Sequence, residues 1–233
     1  MSQLALDLRT EAAPTLANFV AGRNHECLAC LAAIAEGERR HQLVYLWGRP
    51  GSGRSHLLQA MADAGGRLLG PGSPLERFAF SESCTLYLAD DVPLMDDTRQ
   101  HALFHLINQV RADPPSAVVS SGDAPPLALT MRDDLRTRLG WGLTFELHPL
   151  SDQEKAAALA GVAARRGLTV AADVIPWLLT RTTRDMRVLL ELFDALDRHA
   201  LARQRAITLP LLRDWLRSDE GQRFAHRPPD RQD

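Results

Sequence analysis

Three short stretches of this chain are mostly apolar and carry no charge: Leu43-Val44-Tyr45-Leu46-Trp47, Thr85-Leu86-Tyr87-Leu88-Ala89 and Ala117-Val118-Val119-Ser120-Ser121. Runs of that length predict strands buried on both faces, as in a parallel sheet. Around them the apolar positions recur every three or four residues instead. That period predicts helices over 25–38, from His56 onward, and over 97–113, where Leu103, Phe104, Leu106, Ile107 and Val110 share a face. Gly65-Gly66-Arg67 and Gly70-Pro71-Gly72-Ser73-Pro74 read as turns. From Ser151 the texture is wholly helical: Ser151-Asp152-Gln153-Glu154 has the pattern of a capping box, and helices follow over 171–181, 184–203 and 208–217. Residues 218–233 are polar and proline-bearing, which predicts disorder. The expected fold class is α/β, a parallel sheet flanked by helices, with a small all-α domain behind it. The expected divisions are an arm over 1–15, an α/β base over 16–149, a helical domain over 150–217 and a tail over 218–233.

The first strand runs into Gly48-Arg49-Pro50-Gly51-Ser52-Gly53-Arg54-Ser55, and His56 opens the next helix. Strand, glycine-rich loop, helix is the setting of a phosphate-binding P-loop. Small residues let backbone N–H groups turn toward phosphate oxygens, and the helix adds its positive end. Ser55 is placed to ligate a Mg²⁺ ion held by those phosphates. Arg54 stands where the pattern has lysine. It keeps the charge but is bulkier and bonds in a fixed fork, so nucleotide binding is expected and fast hydrolysis by this chain alone is not. The second strand delivers Asp90-Asp91 at its end, Asp90 suited to the metal through water and Asp91 to the attacking water. A plain polar turn is the alternative. At the tip of the third strand Ser121 or Asp123 is a candidate to reach the γ-phosphate or the water, with loop capping as the alternative.

With 233 residues, 45% hydrophobic and 24% charged, the composition is that of a globular protein with a good core. A net charge of −2 gives no electrostatic case for non-specific binding to nucleic acid or membrane. No signal peptide or membrane-spanning run is visible, and three cysteines suit a reducing compartment, so a cytoplasmic location is expected. Cys27 and Cys30, after His25, lack a second ligand pair and read as packing residues.

The arm reads Gln3-Leu4-Ala5-Leu6-Asp7-Leu8. It is either a first strand or loose end, or a linear motif in which Gln3 hydrogen-bonds while Leu4, Leu6 and Leu8 fill pockets on a partner. Arg136 and Arg138, beside Leu139-Gly140-Trp141-Gly142, are either solvated surface charges or arginines that reach across an interface to a phosphate.

Over residues 2–217 these elements resemble the AAA+ family and, within it, the DnaA-related branch that includes the regulatory inactivators of the replication initiator DnaA. Four segments carry the resemblance. The 3–8 motif, with Asp7 in it, is similar to one that binds the DNA polymerase sliding clamp. The stretch 16–24 is similar to the segment around the adenine base, with Val20, Gly22 and Asn24 at the family's positions. Gly51-Ser52-Gly53-Arg54-Ser55-His56 is similar to the branch's P-loop, in which arginine also replaces lysine. Leu135-Arg136-Thr137-Arg138-Leu139-Gly140-Trp141-Gly142 is similar to the arginine-finger segment.

The resemblance implies that Arg138 is a finger supplied in trans, Asp90 and Asp91 the Walker B pair, Asp123 the sensor 1 position and Arg187 the sensor 2 arginine. It implies ADP or ATP with Mg²⁺ between base and lid, and the sliding clamp and DnaA as partners, DNA being met through the clamp. No membrane partner is expected, and self-association is left open. The function implied is a negative regulator that stimulates hydrolysis of DnaA-bound ATP, more an activator than an efficient ATPase. Two rivals stand beside it: a self-sufficient ATPase motor or loader, and a DNA-binding initiator-like factor. The second would need a helix-turn-helix domain, which nothing after Arg217 is expected to supply. The segment between Ser55 and Asp90 is short for the family, which implies that a helix or strand beside the sheet is trimmed.

Overall fold

A computed structural model describes residues 13–38, 40–181, 186–203 and 205–225, without the side chains of Arg187, Arg223 and Ala225. The 3–8 motif therefore lies outside the described residues, as do 226–233. The chain divides into two compact units, Met1–Pro149 and Leu150–Asp233.

In the first unit five parallel strands form one sheet in the order β2-β3-β4-β1-β5. They are β1 (Leu43–Trp47), β2 (Arg67–Leu69), β3 (Leu86–Ala89), β4 (Ala117–Gly122) and β5 (Leu143–Glu146). The three mostly apolar runs are the three inner strands, and side-chain alternation splits each between two layers. Val44, Leu46, Leu88 and Val119 face α1 (His25–Ala35) and α2 (Arg54–Asp63), packing on Leu31, Leu57, Leu58 and Met61. Tyr45, Tyr87 and Val118 face α3 (Asp97–Ala112) and α4 (Asp133–Leu139), packing on Leu103, Leu106, Ile107, Val110 and Leu135. Each such leucine, buried from water, contributes about 1.5–3 kcal/mol. Cys27 belongs to the first layer, where burial, and then the charge of Cys30, push its thiol up to about 12. That suits the packing role expected of it.

Two edge strands correct the sequence reading. β2 starts at Arg67, where the Gly65-Gly66-Arg67 pattern reads as a turn. At three residues it is too short for a periodic signal, and its pairing with β3 defines it. β5 alternates half-buried and exposed positions, as one covered edge does. Between β2 and β3 the chain forms a 3₁₀ turn, Leu75–Phe78.

The second unit packs α5 (Asp152–Arg165), α6 (Val174–Arg181), α7 (Met186–Ala202) and α8 (Leu209–Leu216) around Leu178, Leu192, Phe193, Leu196 and Trp215. The capping box at its start is formed: Ser151 Oγ accepts from the Glu154 N–H, and Glu154 accepts from the Ser151 N–H. The expectation of a wholly disordered tail is also corrected. Asp219–Ala225 is a helix, α9. The Gly221 N–H donates to Ser218 Oγ, Asp219 and Glu220 sit in its first turn, and Phe224 packs on Trp215 with ring centroids 5.6 Å apart.

Candidate functional site

The loop between β1 and α2 is shaped by close backbone approaches. A Cβ on Gly48 would lie 2.5 Å from the Leu147 carbonyl oxygen, so β5 crowds the strand exit. Gly53 caps α2 at φ +97°, and a Cβ there would lie 2.6 Å from the Phe19 ring. Pro50 and Gly51 sit on the exposed crest, and the Ser52 N–H closes back on the Arg49 carbonyl at 3.1 Å.

Arg54, first residue of α2, turns its guanidinium inward, its side chain only 12% exposed. Nη2 lies 3.5 Å from Asp91 Oδ1, while Nη1 is buried with no hydrogen-bond partner. Ser52 Oγ is buried and unpartnered as well. A buried donor on a cation left unmade costs free energy, and an anion at the helix start is the group that would satisfy both. The residues present thus fit a phosphate. Ser55 is exposed on the first turn of the same helix.

Asp90 and Asp91 follow β3 directly beside β4, because Ala89 pairs with Ser120. Ser121 Oγ donates to Asp90 Oδ1 at 2.5 Å, and the Asp91 N–H donates to Ser121 Oγ at 2.9 Å and Asp90 Oδ1 at 3.1 Å. The backbone of Asp91 is left-handed (φ 46°, ψ 52°), the one such non-glycine among the described residues. Burial, then the neighbouring Asp90 charge, hold the Asp91 carboxyl above its ordinary range, with Arg54 pulling the other way. Among the described residues no three His, Cys, Asp or Glu side chains converge as a metal site. Mg²⁺ at Ser55 and Asp90 would therefore need phosphate oxygens as its main ligands.

The polar residue at the β4 tip that engages this pair is Ser121. Asp123, carried over as the sensor, is exposed one residue past the strand and acts on Asp91 only through its charge. Tyr45, which the sequence shows only as a strand residue, anchors that loop: its buried hydroxyl donates to the Ala124 carbonyl at 2.9 Å. Nothing in a local pattern marks a bond between positions so far apart.

The segment 15–24 lies against the start of α2. Its Thr15 carbonyl and Asn18 Oδ1 meet His56 Nε2 at 3.2 and 3.1 Å, and Phe19 stacks near the His56 ring at 5.5 Å. Val20 and Gly22 are half-buried in this stretch. Asn24 is buried, donating to the His148 carbonyl at 2.9 Å and accepting the His148 N–H at 2.8 Å. His56 and Asn24 thus use their polar atoms to hold the segment to α2 and to the exit of β5.

Arg138 sits in the last turn of α4. Its Nε donates to Asn108 Oδ1 at 2.9 Å, and its guanidinium carbon lies 3.6 Å from the Trp141 ring centre and 5.3 Å from that of Phe104. Arg111 lies 4.2 Å from the same Trp141 ring. Both guanidiniums thus contact the one indole. None of the described contacts joins Arg138 to Arg54, Asp90 or Asp91. Arg187 is in the first turn of α7, with its side chain outside the described residues.

Residues 152–216 match the family described as Hda, lid domain. The whole fold is similar to domain III of the Thermotoga maritima replication initiation protein DnaA, with TM-score 0.69 and 19% identity over 90% of this chain and 100% of that one. It is also similar to AMPPCP-bound DnaA from Aquifex aeolicus, with TM-score 0.63 and 20% identity over 79% and 65% of the two chains. A RuvB variant from Thermotoga maritima matches at TM-score 0.65 and 18% identity, over 89% of this chain and 74% of that one. The sheet order, the P-loop and the helical second unit thus give this chain the fold that these DnaA and RuvB structures share, with residues 152–216 matching the Hda lid model.

Proposed function

We propose that this protein is a negative regulator of replication initiation which, in its ADP-bound form and with the DNA-loaded sliding clamp, stimulates hydrolysis of ATP bound to DnaA. The observation that carries this reading is the state of Arg138. Its Nε is fixed by Asn108 and its plane rests on Trp141, while Nη1 and Nη2 have no partner among the described residues. A guanidinium held by one edge and one face, with its terminal nitrogens open, is preorganised to meet an external phosphoryl group. It would enter the DnaA site in trans and stabilise charge developing on the transferring phosphoryl group, the role for which a finger is supplied.

The chain's own P-loop serves retention of nucleotide in this reading. Arg54, Ser52 and the loop N–H groups hold the phosphates, and Ser55 with Asp90 holds Mg²⁺. Bound ADP supplies the negative charge that the unpaired Arg54 nitrogen and Ser52 hydroxyl lack. Asp91, ion-paired with Arg54, is less free to activate water, which favours retention over turnover. The segment with Gln3, Leu4, Leu6, Asp7 and Leu8 is the tether to the clamp.

The test is ATP hydrolysis by DnaA with clamp loaded on DNA, adding this protein with ADP. Wild type, Arg138→Ala and a deletion of residues 2–8 would be run side by side. Stimulation by wild type that both variants lose is the expected result. No stimulation, together with ATP turnover by this protein alone, would overturn the reading in favour of a self-sufficient ATPase.

A further inference from the structure

The exposed side of α3 carries two imidazoles that the nucleotide chemistry does not use. His101 and His105 stand one helical turn apart, both exposed, with Nε2 atoms 3.1 Å from each other and ring planes at 89°. Histidines at i and i+4 share a helix face, the spacing by which two imidazoles ligate one ion in helical zinc motifs. With metal–nitrogen bonds of about 2.0–2.1 Å, two ligating nitrogens sit about 3.3 Å apart around a tetrahedral ion and about 2.9 Å apart around a square-planar one. The observed separation falls between these values, so the two nitrogens stand at chelating distance and only the ring orientations have to adjust to one ion.

The surroundings hold the pair in place. α3 is anchored beneath it by the fully buried Leu103 and Leu106. Phe104 meets the His105 ring edge-on, with centroids 5.5 Å apart and planes at 76°. Asp97 lies one turn before His101, and Asp134 is close enough for the His101 charge to act on its carboxyl. Asp134 is gripped by Arg132 through bonds of 3.2 and 2.8 Å, so it contributes field and not a ligand. The described contacts of either ring involve only its partner ring and Phe104.

We propose that His101 and His105 form a two-histidine site for a borderline divalent transition metal of the zinc, nickel and copper class. The Nε2 proton of the donating ring passes through solvent to its own Nδ1, both Nε2 lone pairs then bind the ion, and water completes its coordination. Because no third His, Cys, Asp or Glu converges there among the described residues, the site is open and exchangeable, unlike a closed structural zinc site. It also abuts the arginine: the ion would fix His105 against Phe104, whose ring lies 5.3 Å from the Arg138 guanidinium. The inference stands apart from the nucleotide reading, since neither imidazole belongs to the P-loop or the acidic pair.

The test is calorimetric titration of the chelator-stripped full chain with Zn²⁺, Ni²⁺ and Cu²⁺, beside His101→Ala, His105→Ala and, as a control histidine, His199→Ala. The Cu²⁺-loaded proteins would also be examined by electron paramagnetic resonance. One ion per chain is expected, with copper tightest. Each α3 variant should weaken binding at least about tenfold, while His199→Ala leaves it unchanged. The copper spectrum of wild type should carry nitrogen couplings that either α3 variant reduces. Absence of binding by wild type, or binding that persists undiminished in the His101→Ala/His105→Ala double variant, would overturn the proposal. Both residues are exposed, so the variants should melt as wild type does.

Discussion

The guanidinium carbon of Arg138 lies over Trp141, 3.6 Å from the ring centre, and that of Arg111 lies 4.2 Å from the same centre. An indole in contact with two cations has little freedom to rotate, although it is 45% exposed. The stack fixes the plane of Arg138, and the bond from Asn108 fixes its rotation within that plane. An exposed arginine would otherwise sample many rotamers and lose that entropy on docking.

Trp141→Ala should therefore reduce stimulation of DnaA ATP hydrolysis without abolishing it. A cation–π contact is worth about 0.5–2 kcal/mol, which converts to a loss of roughly 2- to 30-fold. Arg111→Ala should give a smaller loss, because the second cation acts only through the ring. Equal rates for wild type and Trp141→Ala would remove the stack from the mechanism.

Arg54 makes the second prediction. Its buried, unpaired Nη1 is expected to find its partner in a phosphate oxygen. Hydrogen bonds to charged groups contribute about 1.5–3 kcal/mol, so Arg54→Ala should weaken ADP binding about 10- to 150-fold in a fluorescent-nucleotide titration. Arg54→Lys should retain most of the affinity. It also withdraws the planar fork from Asp91, so any ATP turnover by the chain itself should rise and not fall.

Asp91 sets a pH dependence. Burial and the Asp90 charge raise its carboxyl above the ordinary 3.8 in the folded chain. A raised acid binds its proton more tightly when folded, so its contribution to stability is fully present below 3.8 and is lost as pH rises through the raised value. Without nucleotide, Asp91→Asn should melt higher than wild type at pH 7, and the difference should shrink toward pH 3. Asparagine also tolerates the left-handed backbone at this position. A melting difference that is constant with pH would show that charge is not its source.

Gly53→Ala tests the seam between α2 and the 15–24 segment. The backbone is at φ +97°, and the new methyl would meet the Phe19 ring at 2.6 Å. The left-handed conformation alone costs about 1–2 kcal/mol, so the melting temperature should fall by several degrees. If displacement of Phe19 adds to the cost, combining the change with Phe19→Ala should recover part of the loss.

Sequence by itself determined the parts of this protein whose cause is local. Short, mostly apolar runs bounded by turn residues read as strands buried on both faces, so β1, β3 and β4 were legible, as were the glycine loop after β1 and the acid pair after β3. The capping box at Ser151 and the helix period of the second unit were legible for the same reason, since each signal spans a few consecutive residues. Tertiary structure decided whatever depends on a neighbour from elsewhere in the chain. β2 and β5 are too short to announce themselves and exist because β3 and β1 offer them open edges. Ser121, not Asp123, engages the acidic pair because strand register sets it beside Asp90. Asn24 is taken up by a backbone 124 residues away, Arg138 is oriented by an asparagine 30 residues away, and α9 forms where Phe224 finds Trp215. Those pairings arise from the packing of distant segments, and no pattern of adjacent residues encodes which of them will meet.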